Sequence, residues 1–349
     1  MAAGKDPIEV LVAARVTAEQ LERMKVLHPR LVIRGEHGGI AIMTAAEAAA
    51  NGITISGIDY PDFRPDLDYQ GLLERAEVLF ATRIPPDVVK RAPRLRWIQF
   101  TSAGVDKLWH PSLGDANVTV TNTKGIHAHP LAEFVLSCLL VFAKGWPRML
   151  EHQRAHRWEP FLLEELLGTT MVLVGTGEIG RGVARLAKAF GIHTVGVRRR
   201  EGERAEPEFD EQLSAAAALP GLLGRADSVV ASLPLTAKTR ELFDERMFGA
   251  MKPSAVFVNV GRGRTVDQGA LVRALREGRI RGAALDVFEQ EPLPADSPLW
   301  DLPNVLISPH MGSDTARYTD RMTDVLYDNL VRYAEGQPLR NVVDPKEGY

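Results

Sequence analysis

The 349-residue chain has one cysteine, Cys138, so no intramolecular disulfide can form. The apolar run around it, Phe134 to Phe142, reads as the setting of a buried thiol rather than a nucleophile, which suits a reducing compartment. No uninterrupted stretch approaches the roughly 20 apolar residues of a membrane span. Met1 to Asp6 lacks the basic-then-apolar pattern of a signal peptide, so the expected location is cytoplasmic. Excess positive charge is also missing. The formal net charge of −3 argues against a nucleic-acid or anionic-membrane partner and leaves a small molecule as the expected one. Metal ligands are scarce too: His152 and His156 stand four apart on an expected helix, but no glutamate completes an H-E-x-x-H pattern and no third ligand is apparent. No metal is expected.

What is present is ordinary globular material, 45% apolar and 25% charged, in a chain long enough for two domains with an active-site cleft expected between them. Short β-branched runs at Ile8 to Val12, Leu31 to Ile33, Val78 to Ala81 and Leu95 to Phe100 alternate with helical patterns at Thr17 to Leu27, at Tyr69 to Ala76 and after Pro85-Pro86. Between positions 41 and 65 an Ala-rich stretch reads as helix, and Asp59 to Pro65 as a turn-rich loop. From Met171 the strands become continuously apolar: Met171 to Val174, Thr194 to Val197, Ser228 to Ser232, Ala255 to Val260, Gly282 to Asp286 and Val305 to Ser308. Such strands are buried on both faces, the pattern of a parallel sheet covered by helices. Thr315 to Gly336 has amphipathic spacing, with Met322, Val325, Leu326, Leu330 and Tyr333 on one side, and is expected to return to the first domain.

The strand ending at Val174 runs directly into Gly175-Thr176-Gly177-Glu178-Ile179-Gly180, with a helical pattern behind it from Arg181 to Phe190. Alone, G-x-G-x-x-G is a weak signal; between a strand and a helix it is the dinucleotide fingerprint. Gly175 makes the tight turn, Gly177 lets backbone approach a pyrophosphate, and Gly180 lets helix and strand pack. The helix N-terminus then offers amide donors and partial positive charge. At the end of the next strand, where NAD-binding chains usually carry an acid for the ribose hydroxyls, stand Arg198, Arg199 and Arg200. Guanidinium groups pair with a 2′-phosphate, so NADP is favoured, with NAD still open; the bland reading is a solvated turn balanced by Glu201, Glu203 and Glu206.

Three more strand ends carry chemically useful residues: Arg262 in Asn259-Val260-Gly261-Arg262-Gly263, Glu291 after Leu285-Asp286-Val287-Phe288, and His310 in Ser308-Pro309-His310. Reducing a 2-oxo acid requires a cation for carboxylate and carbonyl, a proton donor, and a group that tunes that donor. Arginine, histidine and glutamate are suited to those roles. Singly, each has a bland reading as a surface ion pair, a structural histidine or a loop glutamate. Three in order behind a dinucleotide loop change that balance.

These blocks, with Leu233-Pro234-Leu235-Thr236, Met251-Lys252-Pro253 and Glu291-Pro292-Leu293-Pro294, resemble the D-isomer-specific 2-hydroxyacid dehydrogenase family over essentially the whole chain. The resemblance implies an α/β protein of two doubly wound parallel-sheet domains. Residues 1–121, completed by 315–349, form the flavodoxin-like substrate domain, and 122–314 the Rossmann cofactor domain. It implies that Arg262 binds and polarises substrate, that His310 is the general acid and base, and that Glu291 pairs with it. Pro234, Val260, Gly261 and His310 join the dinucleotide loop around the cofactor; Asp286 either lies near the nicotinamide or caps its loop. Ser102, Ala103, Gly104 and Val105, followed by Asp106, resemble the substrate loop, whose amides hold the carboxylate. Similarity extends to Asn122 through Gly125 and to Ala132-Glu133, where the family crosses between domains; His127 or His129 there is a candidate for lining the cleft.

The expected activity is NAD(P)H-dependent reduction of a small glyoxylate- or hydroxypyruvate-like 2-oxo acid to the (R)-2-hydroxy acid, and the reverse. The alternative from another class is a dinucleotide-sensing regulatory protein on the same fold. Formate dehydrogenase relatives carry an amide where Glu291 stands, and a phosphite dehydrogenase would want lysine at Ala103. A phosphoglycerate dehydrogenase with a regulatory domain would need a longer C-terminus. Phe100 and Trp146 are pocket residues that sequence cannot place. Leu131 to Ala143 is apolar enough for a two-fold homodimer interface, or else for an intradomain core helix.

Overall fold

The structure is a computed structural model that describes residues 6–50, 68–104, 108, 113, 116–198, 206–214 and 219–344. The loop expected at Asp59 to Pro65, as well as Val105, Asp106, Arg199 and Arg200, lie outside the described residues. The chain divides into two compact units, Met1–Ile126 with Ala316–Tyr349, and His127–Thr315.

The first unit is built on five parallel strands: β1 (Ile8–Val12), β2 (Leu31–Arg34), β3 (Val78–Ala81), β4 (Trp97–Phe100) and β5 (Thr119–Thr121). They are ordered β2-β1-β3-β4-β5, the flavodoxin-like arrangement. β3 and β4 are buried at every residue, which is why they read as apolar runs, broken only by Gln99 of β4. Helices α1 (Ala18–Val26), α2 (Ala45–Ala50), α3 (Tyr69–Arg75) and α4 (Val88–Arg91) connect or flank them. Thr17 starts α1 with a reciprocal capping box: its hydroxyl accepts from Gln20 N (3.2 Å) while Gln20 Oε1 accepts from Thr17 N (2.9 Å).

The second unit opens with α5 (Ala128–Ala143) and α6 (Trp146–Arg154). It continues with β6 (Thr170–Val174), α7 (Glu178–Ala189), β7 (His193–Arg198), β8 (Glu211–Ser214), α8 (Leu219–Leu223) and β9 (Ser228–Ala231). It closes with α9 (Glu245–Gly249), β10 (Val256–Asn259), α10 (Gln268–Arg276), β11 (Gly282–Leu285) and β12 (Val305–Ile307). All strands run parallel in the order β12-β11-β10-β9-β6-β7-β8, a Rossmann sheet with one further strand. The reversal of strand order falls between β6 and β9, so their carboxyl ends frame the crevice where such sheets take ligands. Strand β8, Glu-Gln-Leu-Ser, is an edge strand with none of the apolar signal of its neighbours, and the sequence reading did not identify it. The apolar run in α5 has an internal explanation: seven of the helix's nine buried residues pack with Val183, Ala184 and Ala187 of α7 and with the sheet. A Cβ on Gly182 would meet the Ala128 carbonyl oxygen at 2.7 Å, so the two helices approach at backbone distance.

After the second unit the chain returns to the first as α11 (Tyr318–Ala334). Met322, Leu326, Tyr327 and Leu330 share a core with Val10 and Val12 of β1, Val78 and Phe80 of β3, and Trp97 of β4. The buried face is wider than the apolar spacing suggests, because it includes Asn329. Its Nδ2 donates to Gln99 Oε1 (3.0 Å), and its Oδ1 accepts from Arg340 N (2.8 Å). Gln99 Oε1 also accepts from Thr121 Oγ1 (2.8 Å), which in turn accepts from Trp97 Nε1 (2.7 Å). A satisfied polar network of this kind fixes helix, sheet and C-terminal segment in one register.

Candidate active site

Beyond β6 the backbone turns at Gly175, whose φ of +115 favours glycine. A side chain there would also strike Ser232, whose hydroxyl donates to the Gly175 carbonyl (3.1 Å) and ties the turn to the end of β9. A Cβ on Gly180 would lie 2.0 Å from the Gly175 oxygen, so α7 packs closely under the turn. Gly177, by contrast, would direct a Cβ into open space with nothing within 4 Å. Two glycines are therefore required by packing, while the third leaves room over the N-terminus of a 12-residue helix. That is the cradle a pyrophosphate fits. Thr176 packs over Gly196 of β7, where Phe209 also converges. Glu178 and Arg181 of α7 are ion-paired, and Arg181 Nη1 also reaches Glu206 Oε2 (3.1 Å). Arg198 is the half-buried last residue of β7.

The second constellation lies at the ends of β10, β11 and β12. Arg262 follows β10 in extended conformation, and its Nη1 donates to the Gly261 carbonyl (2.9 Å). Asn259, 1% exposed, shapes this loop: its Oδ1 accepts from Gly261 N (3.0 Å) and its Nδ2 donates to the Arg262 carbonyl (3.3 Å). Thr265 Oγ1 donates to the same carbonyl (2.6 Å). Gly263 allows the next loop to close on this one, since a Cβ there would lie 1.8 Å from the Phe288 carbonyl carbon. Likewise, a Cβ on Gly261 would meet Leu233 O at 2.7 Å, next to Pro234, whose carbonyl accepts from Thr239 Oγ1 (2.7 Å). Val260 is buried and takes its place through an N–H bond to the Ala231 carbonyl (3.0 Å).

Glu291 holds its own loop through Oε1, which accepts from Phe288 N (3.1 Å), and presents Oε2 to His310 Nδ1 at 3.0 Å. This bond with Glu291 is the main reason His310 titrates above the ordinary histidine value; partial burial opposes it, Asp286 adds to it, and the nearby Arg262 charge works against it. Glu291, Asp286 and Arg262 thus all act on the His310 imidazole. His310 has φ +55, a conformation side chains seldom adopt, and the reason it holds is visible in Asp286. That carboxylate, 2% exposed, accepts at Oδ1 from Ser308 Oγ (2.6 Å) and from the N–H groups of Met311 and Gly312 (both 2.9 Å). These bonds make Asp286 a cap of the His310 loop.

In the first unit, the loop after β4 is shaped by side chains bonding to its backbone. Ser102 Oγ donates to Gly104 O (2.9 Å), Asn122 Nδ2 to Ala103 O (2.7 Å), and Thr123 Oγ1 and Tyr318 OH to Thr101 O (2.7 and 3.1 Å). Phe100 lies wholly in the core beneath it, so it is no pocket residue, and Trp146 is about half exposed on α6. His129 pairs with Glu133 on the exposed side of α5 (3.0 Å). His152 is buried edge-on to Phe161 with Glu159 3.7 Å away, and among the described residues no His/Cys/Asp/Glu group is arranged for a metal. Sequence reading missed Asn259, Ser308 and Thr265. Asn259 and Ser308 are polar residues at or just beyond the end of an apolar strand, and that position is the only trace they leave in sequence; Thr265 closes the short turn after Arg262.

Strand order, glycine loop and the Arg–Glu–His group together define a Rossmann-type oxidoreductase. A profile for "D-isomer specific 2-hydroxyacid dehydrogenase, NAD binding domain" matches residues 136–312. The chain is 36% identical to a glyoxylate reductase of Aeropyrum pernix, over 79% of this chain and 86% of that one. It is 35% identical to a glyoxylate/hydroxypyruvate reductase B of Pectobacterium atrosepticum, over 82% and 90%. A D-isomer specific 2-hydroxyacid dehydrogenase from Xanthobacter autotrophicus Py2, solved in complex with NADPH and MES, superposes with a TM-score of 0.77 at 29% identity, covering 99% of this chain and 100% of that one. The chain belongs to the D-isomer specific 2-hydroxyacid dehydrogenase family, and it is an NAD(P)-dependent oxidoreductase.

Proposed function

We propose that this enzyme reduces glyoxylate, hydroxypyruvate or a similarly small 2-oxo acid to the (R)-2-hydroxy acid, prefers NADPH to NADH, and also runs in reverse. The observation that carries the reading is the 3.0 Å bond between His310 Nδ1 and Glu291 Oε2, with Arg262 close enough to act on the same imidazole. The reduced nicotinamide, when bound, supplies the hydride. With Nδ1 committed to Glu291, His310 delivers its proton from Nε2 to the substrate carbonyl oxygen. Glu291 keeps the ring protonated, and Arg262 binds the carboxylate and stabilises charge growing on that oxygen. Ser102, Ala103, Gly104 and Val105 are assigned to the substrate carboxylate through their amides. Gly175, Thr176, Gly177, Glu178, Ile179 and Gly180 would hold the pyrophosphate, with Pro234, Val260, Gly261 and Asp286 bordering the cofactor. Arg198 and Arg199 are assigned to the 2′-phosphate. Support for NADPH comes from these arginines and from the NADPH-bound relative; support for the substrate comes from the two named reductases.

The test is a panel of 2-oxo acids assayed with NADPH and with NADH. Turnover of glyoxylate or hydroxypyruvate, faster with NADPH, is expected. Binding of NADPH without turnover of any 2-oxo acid would make the chain a dinucleotide-sensing protein instead. Replacing Arg198 by Asp is expected to reduce the NADPH/NADH ratio of kcat/KM by about ten- to a thousandfold, since one or two charge-assisted contacts are worth roughly 1.5–3 kcal/mol each. An unchanged ratio would remove Arg198 from this role.

We further assign the enzyme to the cytoplasm as a homodimer. The face we assign to a second copy is the segment from α6 onward, since much of α5 is covered within its own unit. Trp158 and Leu162 are each 98% exposed, beside a cavity of about 580 Å³ lined by Met149, His152, Trp158 and Phe161. Exposed apolar side chains beside a recess on one segment are what a two-fold axis can pair reciprocally.

A further inference from the structure

In the parallel pairing of β7 with β8, Gly196 lies opposite Gln212 and Arg198 opposite Ser214. Residues facing each other across a parallel pair point to the same side of the sheet, with backbones about 4.8 Å apart. The side in question is fixed by Gly196, where Thr176 of the dinucleotide loop and Phe209 converge, and by Val195 and Val197, which pack into the core on the opposite side. Arg198 and Ser214 therefore both emerge on the side of the dinucleotide loop. Each is also the final residue of its strand, at the carboxyl edge where open α/β sheets bind ligands. Ser214 is half-buried. Among the described residues near the dinucleotide loop, Glu178, Arg181 and Glu206 are engaged with one another.

We infer that Ser214 is a second determinant of cofactor choice, its hydroxyl donating to a phosphate monoester on the adenosine ribose that Arg198 holds. The inference rests on Arg198 being the phosphate reader. A guanidinium supplies charge but its donors are fixed in one plane; a hydroxyl one strand away supplies a donor from another direction, so the phosphate is held in place rather than only attracted.

The experiment is calorimetric titration of the full-length enzyme with adenosine 2′,5′-bisphosphate and with 5′-ADP, which lacks the 2′-phosphate, using the wild type, Ser214→Ala, Ser214→Asp and Arg198→Ala. Ser214→Ala is expected to weaken the bisphosphate about five- to tenfold and leave 5′-ADP unchanged. Ser214→Asp, which sets a carboxylate beside the phosphate, should weaken the bisphosphate further, again selectively. A selective loss in Arg198→Ala with none in either Ser214 variant overturns the inference alone. No selective loss in Arg198→Ala overturns the reading beneath it. Equal losses for both ligands in the Ser214 variants would mean that Ser214 only holds β8 in place, and would overturn the inference as well.

Discussion

The Glu291–His310 pair sets a direction for pH dependence. Glu291 holds His310 above the ordinary histidine value, so the acid required for reduction persists to higher pH than an ordinary histidine would allow and is lost as pH rises through that raised value. Oxidation, which needs the neutral ring, gains over the same interval. Glu291→Gln keeps an oxygen for Phe288 N but removes the charge, and the falling limb of kcat/KM for reduction is expected to move to lower pH. A limb that stays in place would show that His310 is not the titrating acid or that chemistry does not limit the rate. The same pair adds to stability below the ordinary histidine pKa, and that contribution disappears as pH rises through the raised one. His310→Ala should lower turnover by about 10²–10⁴-fold, the usual worth of a positioned general acid. Arg262→Ala should cost about 10²–10³-fold, with melting temperature little changed in both, because neither side chain is part of a core.

At the scale of loops and strands, the glycines separate packing from binding. Gly263→Ala forces a methyl group into the Phe288 carbonyl and should destabilise the protein by about 1–3 kcal/mol while disturbing the loops of both Arg262 and Glu291. Gly177→Ala meets nothing, at a φ of −73 that alanine adopts freely, so thermal unfolding should be unchanged while the KM for NADPH rises. Thermal melts with and without NADPH distinguish the two: a Gly177→Ala protein as unstable as Gly263→Ala would contradict the assignment of open space above the helix. The core strands of both sheets were legible because they are apolar on both faces, and the glycine loop because its spacing is dictated by covalent geometry. β8 was not, since an edge strand of Glu, Gln, Leu and Ser has no second buried face to mark it. Nor were Asn259 and Ser308, whose work is bonding to loop backbone a few residues away or to Asp286 from the neighbouring strand. The apolar α5 run showed the converse: burial inside one unit and burial between two copies look identical in sequence.

At the scale of the whole molecule, two features of the chain path have consequences. Light scattering should give twice the chain mass, and Trp158→Glu with Leu162→Glu should give a monomer whose melting temperature falls with dilution no more than that of any monomer; a wild-type monomer in dilute solution would refute the assembly. Among the described residues no single helix is long and apolar enough to cross a membrane, and in the bent pair α5–α6 that approaches such a length, α5 is already covered within its own unit. The other feature is the return of α11 to the sheet of the first unit. Residues 127–315 are interposed between the strands of that sheet and the helix that covers β1, β3 and β4. During synthesis the sheet's apolar side therefore waits roughly 10–40 s, at about 5–20 residues per second, for its cover to be made, while the interposed unit already has every residue of its own core. Newly made first unit is thus the part of the chain most in need of chaperones. Expressed alone, 127–315 should be recovered folded, whereas 1–126 should aggregate unless a peptide of residues 316–344 is supplied with it.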